Sequence, residues 1–152
     1  MNTQNFFETV ASAARDLEEI KAQYDCQYDT FVHNQRYAER VQTGSNSSFE
    51  NQLINVLDKK NLILQNRYKE CEYVLSQGWT VLELVAQNHS IEYEQVLEAR
   101  YIFNASYTQI AAERKYKSHN SARKKVQDAL TWVSQNVKQD YLNFDKAGKY
   151  DR

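Results

Sequence analysis

The chain has 152 residues, a formal net charge of −1 and a hydrophobic content of 41%, so it can bury a core as one domain or as two small units. No apolar run approaches the roughly 20 residues of a membrane-spanning helix, and the first residues lack the pattern of a secretory signal, so we expect a cytoplasmic protein with no membrane partner. Proline is absent and glycine occurs three times, which favours an all-α fold over a sheet with many turns.

The first predicted element is one long helix. From Phe6 to Val41, apolar and aromatic residues recur at alternating steps of four and three residues. This period is typical of a helix whose apolar seam faces another helix along its length. The apolar side chains that lie outside a single seam predict a second copy of the chain as partner, in a homodimer; they are Phe7, Tyr24, Tyr28, Val32 and Tyr37.

A loop and a second long helix follow. The polar stretch TGSNSS breaks the pattern, and Ser47 with Glu50 three residues later can form a capping box. We expect the second helix to run from about residue 49 to residue 76 and to be closed by Gly78. The apolar residues that form its predicted seam are Leu53, Leu57, Leu64, Tyr68, Cys71 and Leu75. Residues 1–77 are therefore predicted to form a long antiparallel helical hairpin, a coiled coil that serves oligomerisation.

Residues 78–137 are predicted to form a separate small helical domain. The segment WTVLELVAQ can make a short connecting helix with Trp79 as one apolar anchor, and Ser90 can cap the helix IEYEQVLEARYIF. The residues that can supply a buried face of this helix are Ile91, Val96, Leu97, Tyr101 and Ile102. Further on, Ser106 and Gln109 have capping-box spacing, and Ser118 can cap again after ERKYK. The residues that the helix after Ser118 is expected to carry toward a core are Ala122, Val126, Ala129, Leu130 and Val133. Two short helices joined by a tight turn are the layout of a helix-turn-helix. Residues 138–152 are predicted to be a polar tail.

Positive charge is concentrated on this predicted helix-turn-helix. Residues 106–127 contain six basic residues and one acidic residue, a net charge of +5, whereas residues 1–42 and 48–105 each carry −3. In a helix-turn-helix the second helix enters the DNA major groove by its N-terminal residues. The candidate DNA-binding residues lie at the turn and at this end; they are Arg114, Lys115, Lys117, Ser118, His119, Asn120, Ser121, Arg123, Lys124 and Lys125.

These residue types suit recognition of double-stranded DNA. Arginine and lysine neutralise phosphates and release counterions, arginine can read guanine, and asparagine can pair with adenine. Contact with four to six phosphates predicts a log–log salt slope of about −4 to −5. Other interpretations stay open, because six basic residues on amphipathic helices can also be a solvated surface.

The stretch YEQVLEARYIFNASYTQIAAERKYKSHNSARKKVQDAL resembles the fourth conserved region of sigma factors. The matching features are the helix ending in Arg100 and Tyr101, the SYTQIA opening, Ser118 at the second cap and the AL pair near the end. With the long helices before it, the chain is similar to small phage transcriptional regulators of the ArpU and RinA type. Three positions depart from the sigma pattern. Lys115 or Tyr116 stands where a turn glycine is usual, Ala122 stands where a branched apolar residue is usual early in the recognition helix, and Lys125 lies near a position that is commonly apolar.

The resemblance implies a sigma region 4-like helix-turn-helix and a phage-encoded regulator of late genes that acts in the cytoplasm of a bacterial host cell. It also implies the RNA polymerase of the host as a further partner. Two alternatives are a DNA-recognition subunit like the small terminase of phages and a helical adaptor or inhibitor protein that binds no DNA. A ring of many subunits would favour the terminase, and a dimer would favour the regulator.

No catalytic, metal or cofactor site is expected. The sequence has no glycine-rich phosphate loop, no nucleophile in a recognisable setting and no metal-ligand spacing among its three histidines. Cys26 and Cys71 are interpreted as reduced, buried packing residues. The chain is therefore predicted not to be an enzyme.

Overall fold

The computed structural model describes residues 2–40 and 47–144, and all regular secondary structure in these two ranges is helical, as the sequence predicts. Helix α1 spans Thr3–Arg40 and α2 spans Ser47–Asn88, and both are long and continuous. Residues 43–46 of the predicted loop lie outside the described residues, whereas Ser47 and Ser48 already belong to α2. The hairpin stays a prediction. No helix in the described ranges is long and apolar enough to cross a membrane.

Three shorter helices follow α2. Helix α3 covers Ile91–Leu97 and continues as a π-helical turn over Glu98–Ile102, α4 covers Tyr107–Arg114, and α5 covers His119–Asn136. A 3₁₀ turn over Gln139–Leu142 comes last.

The chain divides into two compact units, and the division differs from the predicted one. The first unit combines residues 1–16 with 71–152, and the second is residues 17–70. The predicted boundary at 77/78 falls inside α2, and the first turns of α1 belong to the same unit as the predicted small domain.

A single apolar core holds the first unit together. Phe6, Val10 and Leu82 are almost completely buried in it, and Phe7 packs 5.2 Å from the ring of Tyr101 between centroids. Because Phe7 is buried here, it adds nothing to an apolar surface for a second copy. The other core residues come from all later helices; they include Val81, Val85, Val96, Leu97, Ile110, Ala122, Val126, Ala129 and Val133.

Gly78 corrects the predicted end of the second helix. The residue lies inside α2 and is buried, and a Cβ atom placed on it would meet Cγ1 of Val10 at 2.8 Å. The glycine therefore allows α1 and α2 to approach closely in this unit, and it does not end a helix. The segment WTVLELVAQ, predicted as a separate connecting helix, is accordingly part of α2. Trp79, predicted as an apolar anchor, is 40% exposed.

The first part of the predicted polar tail belongs to the core. Leu142 is completely buried, and the ring of Phe144 stacks on Phe6 at 4.9 Å between centroids. The apolar side chains in YLNF explain the difference, because they interrupt a stretch that is otherwise polar. Residues 145–152 lie outside the described part of the chain.

In the second unit, Ile20 and Leu64 are buried, which agrees with their places on the predicted seams. Tyr68, predicted on the same seam as Leu64, is 38% exposed. Of the two cysteines, Cys71 of the first unit is buried as expected, whereas Cys26 of the second is exposed.

Candidate functional site

Helices α4 and α5 are joined by a four-residue connection, Lys115 to Ser118, and both helices start at the predicted caps. The Ser106 hydroxyl accepts a hydrogen bond from the Gln109 amide at 3.2 Å, and the Gln109 side chain accepts one from the Ser106 amide at 2.9 Å. At α5, the Ser118 hydroxyl accepts from the Ser121 amide at 3.4 Å. These side chains satisfy N–H groups that a helix start leaves without a helical partner.

The turn depends on a left-handed residue at the end of α4. Lys115 has φ 58° and ψ 37°, and its amide donates to the carbonyl of Ala111. Glycine adopts this conformation without steric cost, whereas a side chain costs about 1 kcal/mol or more. The left-handed residue of this turn is therefore Lys115, and not Tyr116.

Small and branched side chains bring α4 and α5 together. Ile110 and Ala122 are completely buried, and Ala111 is almost so. Val126, Ala129 and Val133 continue the buried face along α5. This face leaves the opposite side of the N-terminal half of α5 in solvent.

Eight of the ten predicted DNA-binding residues are exposed. The exposed residues are Lys115, Lys117, Ser118, His119, Asn120, Ser121, Arg123 and Lys124. They occupy the turn and the first two turns of α5, so the structure brings them together as the sequence predicts. The four cations among them have no ion-pair partner in the described part of the chain.

The remaining two, Arg114 and Lys125, are half-buried against α3. The Arg114 guanidinium donates a hydrogen bond to the side-chain oxygen of Gln95. Lys125 Nζ lies 3.4 Å from Oε1 of Glu92 and 5.6 Å from the ring centroid of Tyr93. The aliphatic part of Lys125 can cover apolar surface while its ammonium group lies beside a carboxylate.

Glu92 is the residue at this contact that the sequence did not single out. Its Oε1 atom also accepts a hydrogen bond from the Tyr116 hydroxyl at 2.8 Å. This hydrogen bond, supported by the positive charges of Lys125 and Arg114, lowers the pKa of Glu92 although partial burial acts in the opposite direction. Burial, followed by the bond to Glu92, raises the pKa of Tyr116 to about 12.

A second carboxylate on α3 has the opposite perturbation. Burial raises the pKa of Glu94 to about 7, and the neighbouring Glu98 carboxyl adds to the rise, while Arg114 opposes it. Two carboxyls four residues apart on one helix are neighbours, so they repel when both are charged.

Arg100 is a further basic residue near the site that the candidate set left out. Its guanidinium lies 4.1 Å from the ring centroid of Tyr107 and donates to the carbonyl of Ala105 at 3.1 Å. It lines a cleft of about 270 Å³ together with Arg15 and Glu8. The position of Arg100 in VLEARYI was a usable signal, but its contact with the start of α4 depends on the π-helical turn.

The residues described in the structure contain no group of three or more His, Cys, Asp or Glu side chains that could hold a metal ion. The sequence matches no protein-family model, and comparisons with curated proteins and with solved structures give no match. The likeness to sigma region 4 therefore depends on the residues quoted for it, and the function has to be argued from the site.

Proposed function

We propose that this protein is a sequence-specific regulator of transcription that binds double-stranded DNA through α4 and α5. One observation carries the proposal: Lys115, Lys117, Arg123 and Lys124 are exposed around one end of α5 and pair with no described carboxylate. Unpaired cations can bind phosphates at a low cost in free energy, because no ion pair within the protein has to be broken first. Neutralised phosphates release their counterions, which drives binding.

The start of α5 offers groups that can read bases. His119, Asn120 and Ser121 are exposed in its first turn, and no acidic residue stands there. The positive end of the helix dipole favours an approaching phosphate group. Asn120 is the proposed reader of adenine and Arg123 of guanine, since their side chains form bidentate pairs with these bases.

Arg114 and Lys125 are removed from the proposed DNA contacts. Their charged groups are engaged with Gln95 and Glu92 on α3. With four free cations and about 0.9 counterions per phosphate, the expected log–log salt slope is about −3.6.

The biological setting follows from the resemblance and is part of the proposal. We propose a phage-encoded regulator of late genes that acts beside the host RNA polymerase. A homodimer would present two copies of α5 to two half-sites. The exposed apolar side chains of the second unit support such pairing; they are Tyr24, Leu62, Ile63 and Tyr68.

Fluorescence anisotropy with duplexes selected from a random library tests DNA binding. Replacing Lys117, Arg123 and Lys124 together by alanine should reduce the salt slope by about 2.7 over about 50 to 200 mM salt. The matched control replaces the exposed lysines Lys59, Lys60 and Lys69 by alanine. It changes the net charge by the same amount, but at positions that are distant from α5 in sequence. Equal loss in both variants, or no duplex binding by the wild type at low salt, would refute the proposal.

Light scattering after size-exclusion chromatography tests the assembly. A dimer supports the regulator, whereas a ring of many subunits would favour a terminase-like role. If the protein forms a dimer and still binds no duplex, the adaptor interpretation replaces the proposed function.

A further inference from the structure

One carboxylate oxygen connects α3 to both parts of the proposed DNA-binding segment. Glu92 Oε1 accepts from the Tyr116 hydroxyl at 2.8 Å and lies 3.4 Å from Lys125 Nζ. Tyr116 stands in the turn between the exposed cations Lys115 and Lys117, and Lys125 follows Arg123 and Lys124 on α5. The two contacts therefore fix the turn and α5 relative to a third element.

The element that carries Glu92 is itself well held. Ser90 caps α3 by accepting from the Tyr93 amide at 3.2 Å, and Val96 and Leu97 are completely buried. The Tyr93 ring stacks on His89 at 4.2 Å between centroids. A carboxylate on such a helix can act as a fixed reference point for a flexible lysine and for a turn residue.

The ion pair also removes one cation from the DNA-binding surface. Lys125 would otherwise be a further positive charge next to Lys124, and free lysines bind phosphates without regard to sequence. Its position over Tyr93 and beside Glu92 leaves four free cations in a defined arrangement.

We propose that Glu92 is a positioning residue for DNA recognition: it holds the turn and α5 in the arrangement that reads sequence, and it keeps Lys125 away from phosphates. This inference rests on the proposed function. Glu92 touches no DNA itself, so its loss lowers discrimination between duplexes and leaves the free cations in place.

Binding to a selected duplex and to an unrelated duplex tests the role. Glu92→Ala should lower the affinity for the selected duplex about tenfold and leave the salt slope undiminished, since no phosphate contact is removed. Glu92→Gln keeps an acceptor for the Tyr116 hydroxyl and should lose about threefold. The control Glu83→Ala removes an exposed acidic residue of α2 and should preserve discrimination. Equal change for both duplexes in Glu92→Ala would overturn the proposal.

A double-mutant cycle separates positioning from a general loss of stability. Tyr116→Phe removes only the hydroxyl, and it should lower the affinity for the selected duplex in the wild type but have no further effect in Glu92→Ala. Additive effects of the two changes would show that Glu92 does not act through Tyr116 and would overturn the proposal.

Amide hydrogen exchange without DNA reads the geometry directly. Glu92→Ala should speed exchange of the Tyr116 amide about tenfold while the amides of Val126 and Ala129 keep their protection. Unchanged exchange at the turn would refute positioning even if the wild type binds DNA. If the wild type binds no duplex but exchange at the turn rises, the proposed function fails and Glu92 is only a structural tie.

Discussion

Exchange of Lys115 for glycine should move stability and DNA binding in opposite directions. Lys115 is the left-handed residue of the turn, with φ 58° and ψ 37°, and its side chain is exposed. Glycine relieves the steric strain of the left-handed conformation, which stabilises the folded state by about 1 to 2 kcal/mol. The greater freedom of glycine in the unfolded chain destabilises the folded state by about 0.5 to 1 kcal/mol. The expected net gain is about 0.5 to 1 kcal/mol.

The same substitution removes one free cation. The log–log salt slope of duplex binding should therefore become shallower by about 0.9. For a chain of 152 residues, the expected gain in the free energy of unfolding raises the melting temperature by about 2 °C. Thermal unfolding followed by circular dichroism and a salt series of anisotropy titrations measure the two effects.

Lys117→Gly is the matched control. Lys117 is also exposed and lies two residues later, but positive φ values among non-glycine residues described in the structure occur at Asn104 and Lys115. The control should lose the same salt slope but should be destabilised by about 0.5 kcal/mol. If Lys115→Gly lowers the melting temperature as much as Lys117→Gly, the argument from the left-handed turn is refuted.

Three further changes test the fold and its pH dependence. Gly78→Ala should lower the free energy of unfolding by about 1 kcal/mol in urea titrations, because its Cβ would lie 2.8 Å from Cγ1 of Val10 and overpacking outweighs the gain in helix propensity; an unchanged or higher midpoint would contradict this. Leu142→Ala should lower the free energy of unfolding by about 3 kcal/mol because the side chain is completely buried. A decrease of less than about 0.5 kcal/mol would show that this segment is a tail outside the core, as the sequence predicts. The free energy of unfolding of the wild type should fall by about 1 kcal/mol, after allowance for solvent screening, as pH rises from about 4.5 to about 7, because Glu94 has a higher pKa in the folded than in the unfolded chain. Glu94→Gln should abolish this fall. A fall of the same size in the variant would reject Glu94 as its source.

Local signals in the sequence predict the starts of α3, α4 and α5 well. The capping box at Ser106 and the caps at Ser90 and Ser118 are confirmed because each involves residues three positions apart. Periodicity likewise identifies the buried face of α5. These features need no knowledge of distant parts of the chain.

The misses come from contacts between residues distant in sequence. Glycine is a common residue at helix ends, so Gly78 is predicted to end a helix. Only its contact with Val10 of α1 shows that it lies inside α2 and allows close packing of the two helices. Ile91 fits the apolar face predicted for α3 but is 63% exposed. Lys125 has the same charge as Lys124, and only the carboxylate of Glu92 separates their roles.

The core of the first unit draws Phe6 from one end of the described chain and Leu142 and Phe144 from the other. During synthesis, the first turns of α1 leave the ribosome long before their packing partners exist. This unit therefore cannot complete its fold until residue 144 has emerged, and a fragment limited to residues 78–137 would lack both sides of that aromatic contact. Folding of the proposed DNA-binding segment is thereby tied to translation through residue 144.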